Sequence, residues 1–175
     1  MSPRAGSVLA IHPTSCGFGW VLFDATGVLA DWGMASANQG RKRRLLDRFN
    51  RLLARHEPTV LVMEAQRSER RRGDRIRRLY GAFNRAAVGL DIEIWVHDRL
   101  AVATALKIPS AASRYNVAQR VAERLPELSH RLPRKQSFGA SEDARQSLFA
   151  AAALGLAHLT ERGPPLPPVH PGAPE

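Results

Sequence analysis

At 175 residues, with 44% hydrophobic and 24% charged side chains, the chain is long enough for one domain with a buried core and has the composition of an ordinary globular protein. One cysteine, Cys16, excludes an internal disulfide and a multi-cysteine metal centre, and no apolar run reaches membrane-spanning length. Lys and Arg total 26 against 16 Asp and Glu, a net charge of +10, and all but Lys42, Lys107 and Lys135 of these cations are arginines, which favours polyanionic partners over acidic or membrane-embedded roles.

The elements follow in chain order. Residues 7–12 and 19–24 read as two strands joined by a glycine-bearing turn, with His12 at the point where the first leaves the core. Thr26-Gly27 is a turn, and Val28 to Ala35 reads as a third strand in an antiparallel meander, because each link is too short for a crossover helix. Residues 41–56 have helical periodicity: Leu45, Leu46, Phe49, Leu52 and Leu53 form one face, and Arg41, Lys42, Arg43, Arg44, Arg48, Arg51 and Arg55 the other. Pro58 stops this helix, and Val60 to Met63 reads as a buried strand ending at Glu64. A helix between two strands of one sheet implies a crossover, so the sheet turns parallel here.

The most basic segment comes next, with Arg67, Arg70, Arg71, Arg72, Arg75, Arg77 and Arg78 within twelve residues. It reads as a loop passing into a helix through Leu79, Tyr80, Phe83 and Ala87. The two aromatics suit core or dimer packing more readily than base stacking. Ile92 to Val96 alternates as a further strand, Val102 to Leu106 reads as a short turn before Lys107, and residues 115–125 read as a helix. Residues 131–139 read as a polar loop, and Ser141 caps a last, alanine-rich helix. Residues 1–162 are thus expected to form one domain, and 163–175 a proline-rich extended tail, either a solvated end or a peptide for a protein partner. Cys16 reads as a turn or core residue. Asp24, Asp31, His97 and Asp98 read as turn or surface residues. Met1-Ser-Pro-Arg lacks the apolar core of a signal peptide, so a cytoplasmic location with no membrane association is expected.

Three polar positions stand where chemistry can be mounted: His12 and Glu64 at strand ends, and Asp143, beside Glu142 and one turn before Gln146, in the expected first turn of the last helix. Phosphodiester cleavage with two divalent ions needs several carboxylates converging from separate elements.

The order and spacing of these segments resemble the RuvC family of Holliday-junction resolvases, in the RNase H-like superfamily, over about residues 7–160. Val8-Leu-Ala-Ile-His-Pro-Thr-Ser-Cys-Gly-Phe-Gly resembles that family's first strand and its Asp-Pro-Gly-Ser turn. Pro58-Thr-Val-Leu-Val-Met-Glu64 resembles the strand ending in a catalytic glutamate, and Leu79-Tyr-Gly-Ala-Phe-Asn-Arg-Ala-Ala-Val the small-residue helix after it. Ile94-Trp-Val-His and Ala103 to Lys107 resemble the next strand and a segment ending in lysine. Glu142-Asp-Ala-Arg-Gln-Ser-Leu-Phe-Ala resembles the last helix. The resemblance implies an α/β fold with a mixed five-stranded sheet, three antiparallel strands then parallel ones, flanked by helices. It implies a homodimer acting on branched or duplex DNA with Mg²⁺ or Mn²⁺.

It also implies that His12, Glu64, Asp143 and Gln146 occupy the four catalytic acidic positions, with His12, Glu64 and Asp143 as metal ligands. Arg67, Arg70, Arg71, Arg72, Arg75, Arg77, Arg78 and Lys107 would hold nucleic acid. Two of the four acids are therefore replaced, and Thr14 stands where the family has glycine after the proline. Imidazole suits manganese, zinc or iron better than magnesium. His12 is a transition-metal ligand, a general base, or the remnant of a lost site touching phosphate. Glu64 is a retained ligand or the partner of an arginine from the 67–78 run, and Asp143 a ligand or a helix N-terminal charge. Glu142 is an alternative source of the lost acid. Two functions compete: a divergent metal-dependent, structure-selective endonuclease, and a non-catalytic nucleic-acid-binding protein or subunit of a larger complex. A sugar-kinase or actin-like ATPase would need a second domain, for which the chain is too short.

Overall fold

A computed structural model describes residues 6–37, 42–66, 73–135 and 144–163. Five strands, β1 (Val8–Pro13), β2 (Gly17–Phe23), β3 (Leu29–Ser36), β4 (Val60–Glu64) and β5 (Glu93–His97), form one sheet in the order β3-β2-β1-β4-β5. The hairpins β1–β2 and β2–β3 are antiparallel, while β4 lies parallel to both β1 and β5. The change of direction falls at the crossover by helix α1 (Lys42–His56), as the Pro58-terminated helical pattern requires. Helix α2 (Asp74–Val88) makes the second crossover, and α3 (Arg99–Leu106), α4 (Arg114–Arg124), a 3-10 turn (Pro126–Arg131) and α5 (Arg145–Arg162) complete the order.

Strand side chains alternate between the two faces of the sheet, and each face has its own core. Leu9, Ile11, Leu61 and Met63 point to the α1–α2 side, where Phe18, Phe49 and Phe83 pack ring against ring with centroids 4.2 to 6.2 Å apart. Tyr80 and Phe83 are buried here, so both serve the core rather than stacking on bases. Val8, Ala10, Val60 and Val62 point to the other side, where α5 covers the sheet with α3 and α4 behind it. A helix buried on nearly all sides is apolar nearly all round, and α5 is. It approaches the sheet closely because two glycines let it. A Cβ on Gly19 would stand 2.3 Å from the Ser147 carbonyl carbon, and one on Gly155 would stand 2.4 Å from the Phe23 ring.

Residues 102–106, expected as a turn, belong to the helix α3 (Arg99–Leu106). Its start is set by Asp98, whose carboxylate accepts the Ala101 N–H at 2.8 Å. The polar loop expected from residue 131 is preceded by the 3-10 turn, nucleated by Pro126. Cys16 lies exposed in the β1–β2 turn. Asp24 is a turn residue as expected, its carboxylate accepting the backbone N–H groups of Thr26 and Val28. The expected Ser141 cap and, beyond Gly163, the proline-rich tail lie outside the described residues. Among the described residues no helix is long and apolar enough to cross a membrane.

Candidate functional site

His12 and Glu64 meet at the C-terminal ends of two neighbouring parallel strands. Each follows the parity of its strand (Val8 and Ala10; Val60 and Val62), so both side chains emerge on the α5 side. His12 Nε2 lies 3.2 Å from Glu64 Oε2, with 19% and 25% of the two side chains exposed. His12 Nδ1 is buried and makes no hydrogen bond among the described residues. The turn after His12 is closed by Thr14: its N–H donates to the Gly17 carbonyl at 2.8 Å, and its hydroxyl accepts the Gly17 N–H at 3.1 Å. Thr14 thus takes over by side-chain bonding what the expected glycine supplies by backbone freedom.

These two residues floor a cleft of about 200 Å³. Gln146, in the first turn of α5, lines it with Phe149, Ala150 and Ala153, and α3 and α4 supply the opposite wall. On that wall stand Asp98, Arg99 and Arg114, none of which the sequence reading placed at a site. Arg99 is held by two backbone carbonyls, donating from Nε to Ser110 at 2.8 Å and from a terminal nitrogen to Ala112 at 2.6 Å. The signal that could have found this wall is the Asp98 cap, which starts a helix at the C-terminal end of β5, beside the end of β4.

The other expected site residues are placed as follows. Asp143, Arg67, Arg70, Arg71 and Arg72 lie outside the described residues, as does Glu142. Lys107 ends α3 in the left-handed conformation, with φ 54°, and is exposed outside the cleft lining. Arg75, Arg77 and Arg78 lie on α2, where Arg77 pairs with Asp74 at 2.6 Å. Arg77, Arg78 and Arg85 border a separate groove, on an element packed against the other face of the sheet.

Two expectations are corrected. Asp98 is not a bare turn residue: it caps α3 and lines the cleft. His97, expected at a turn or surface, is 4% exposed. It sits opposite Glu64 in the β4–β5 register, and α5 crosses the sheet far enough to bring His158 to 3.2 Å from its Nε2 and Glu161 to 3.2 Å from its Nδ1. Burial lowers the pKa of both imidazoles, against the pull of Glu161. Asp31 lies on the edge strand β3, where the expected third strand places it, and its carboxylate meets His56 at 3.3 Å.

No protein-family model matches the sequence, and no curated protein matches it. Solved structures do match the backbone. Thermus thermophilus RuvC superposes with a TM-score of 0.66 at 20% identity, covering 91% of this chain and 99% of that one. The same protein in complex with a Holliday junction substrate gives 0.68 over the same shares. The fold is that of RuvC. The fowlpox virus Holliday junction resolvase, at 0.53 and 11% identity, covers 89% of this chain and 99% of its own. The RuvC fold accounts for the mixed sheet, the two crossovers and the long helix laid across β1 and β2 that the packing shows.

The donor set can be tested against a divalent ion. Two donor atoms 3.2 Å apart have the separation of adjacent ligands on one ion with bonds of about 2.1 Å. One imidazole, one carboxylate and the Gln146 carboxamide suit a single ion that accepts nitrogen. They do not suit two magnesium ions, which require several carboxylates. Among the described residues no group of three His, Cys, Asp or Glu side chains is placed to hold a metal. A third protein ligand for such an ion would have to come from Gln146 or from residues beyond the described ones.

Proposed function

We propose that this chain is a structure-selective endonuclease for branched DNA that works with one divalent ion of the manganese type. The reading is supported by the junction of His12 and Glu64 at the floor of a cleft with two arginines on one wall, on the fold of Holliday-junction resolvases. His12 and Glu64 would hold the ion, with Gln146 and Asp143 as the further candidates. When bound, such an ion supplies Lewis-acid activation of phosphate and water. The chain's own residues do the rest. Arg99 and Arg114 present guanidinium groups to a phosphodiester entering the cleft, and the carbonyl bonds of Arg99 fix its approach. Phe149, Ala150 and Ala153 form an apolar back wall that limits water at the scissile phosphate. Lys107 and the arginines of 67–78 would bind the flanking arms. Dimerisation, as the RuvC resemblance implies, would let two clefts address a junction together.

One observation favours a second reading. With two of the four acidic positions replaced and no three-ligand group among the described residues, the same cleft suits recognition of branched DNA without cutting. Labelled four-way junction, duplex and single strand incubated with Mg²⁺ or Mn²⁺ separate the two. Cleavage of the junction with Mn²⁺, lost in Glu64→Gln at unchanged binding, supports the endonuclease. Tight binding without cleavage under either ion supports recognition alone.

A further inference from the structure

Helix α1 carries a straight row of arginines that the cleft does not use. Arg44, Arg48, Arg51 and Arg55 recur at intervals of four, three and four residues, which puts them on one stripe of the helix. All four are exposed. The opposite side of α1, with Leu45, Phe49, Leu52 and Leu53, is buried against the sheet face that also holds α2. The His12–Glu64 cleft belongs to the other face. The row is therefore separated from the cleft by the thickness of the sheet.

Its charges are poorly answered within the chain. Among the described residues one carboxylate reaches the row, Asp31, at 4.0 Å from an Arg55 side chain that is 75% exposed. Arg48 donates to the Ser36 carbonyl and Arg51 to the Asp47 carbonyl, contacts that orient the side chains; Asp47, three residues from Arg44 and four from Arg51, is the one acid on the helix and offsets part of the repulsion. Like charges at these spacings each cost the helix about 0.2–0.5 kcal/mol. A polyanion laid along the row would reverse the sign of that term.

We infer that the outer face of α1 is a second nucleic-acid-binding surface, one that takes the sugar-phosphate backbone of duplex DNA on the side of the sheet away from the cleft. From Arg44 to Arg55 the row runs about 16 Å at 1.5 Å per residue. Each strand of duplex DNA carries a phosphate about every 3.4 Å of helix axis and winds around that axis, so a row of this length can meet a few phosphates. Guanidinium groups bind phosphate in a forked geometry. A membrane surface is the poorer match: the apolar side of α1 is buried, and the large exposed apolar residues (Val28, Met34, Val88, Leu90, Val96 and Leu100) all lie outside α1. The surface reads no sequence, since phosphate contacts position a duplex without specifying it. Its placement lets one protomer hold two DNA segments, one on each side of its sheet. The inference stands whether or not the cleft cuts.

The test uses the full chain with Cys16→Ser and Ala54→Cys, the new thiol carrying a photoreactive group. Ala54 is exposed between Arg51 and Arg55. Irradiation with linear duplex should cross-link protein to DNA. The cross-link should fall several-fold in Arg44→Gln/Arg51→Gln/Arg55→Gln, which spares the Arg48–Ser36 bond, provided circular dichroism shows the fold retained. In the same triple variant the slope of log K against log salt for duplex binding should fall by about 2–3, at about 0.9 per phosphate contact. Soluble polyglutamate should not compete at charge-matched concentrations. The cross-link with no cleavage of any substrate would support this surface while removing the endonuclease reading. DNA binding with no cross-link from position 54, an unchanged salt slope, or equal competition by polyglutamate would overturn it.

Discussion

The proposed chemistry turns on His12. An imidazole at the strand end brings no negative charge, so the 3.2 Å pair with Glu64 brings at most one negative charge where two carboxylates would bring two. His12→Asp restores a hard oxygen ligand. It should shift cleavage toward Mg²⁺, with the Mg²⁺/Mn²⁺ rate ratio rising at least tenfold, as measured by junction cleavage under each ion. The buried His97–His158 pair gives a separate prediction. Both pKa values lie below the ordinary 6.5 because burial disfavours the charged rings. The unfolded chain therefore takes up protons near pH 6.5 while the folded chain does not. The stability these residues hold is complete above about pH 6.5 and is lost as pH falls through the lower folded values. Thermal unfolding should show a fall in Tm below about pH 6.5, before carboxylates titrate near pH 4, and His158→Gln should shrink that fall. This pair was not legible in the sequence. His97 looks like the exposed last residue of a strand, and its burial depends on α5 bringing residue 158 across the sheet, a contact 61 residues away.

Among the elements, the strands and the long helices were legible because periodicity of two and of 3.6 is a local property. Val60 to Glu64 and residues 42–56 were read to within a residue or two. Helix α3 was missed because it is short and mostly alanine and leucine, with no polar stripe. Its one signal is the Asp98 cap, so Asp98→Ala should cost about 1 kcal/mol in denaturant unfolding and loosen the cleft wall that presents Arg99. The seating of α5 on the sheet depends on Gly19. Alanine there would meet the Ser147–Leu148 peptide at 2.3 to 2.4 Å, and backbone cannot move aside as a side chain can. Gly19→Ala should destabilise the fold by about 1–3 kcal/mol and displace Gln146 from the cleft, seen as lost cleavage beyond the loss of stability. Nothing in the composition of residues 17–19 marks which glycine the helix presses against.

Taken whole, the protein is a sheet with a polar cleft of mixed charge on one side and an arginine row on the other. The mixed topology was readable from the order of strands and helices, and so was the position of His12 and Glu64 at strand ends; their 3.2 Å approach was not, since it depends on β1 and β4 pairing side by side. The cations that line the cleft were not readable either: the longest arginine run drew attention to residues 67–78, while the cleft is lined by Arg99 and Arg114, which are scattered in sequence and gathered by α3 and α4. Arg114→Gln should therefore weaken junction binding several-fold and lower its salt slope by about 1. The first experiment to perform is cleavage of a labelled four-way junction by wild type and Glu64→Gln in Mn²⁺. Cleavage by the wild type, reduced at least a thousandfold in the variant with junction affinity unchanged, is the expected result. Equal cleavage by both proteins, or none by either while the junction is tightly bound, would show that the His12–Glu64 cleft is not a nuclease centre.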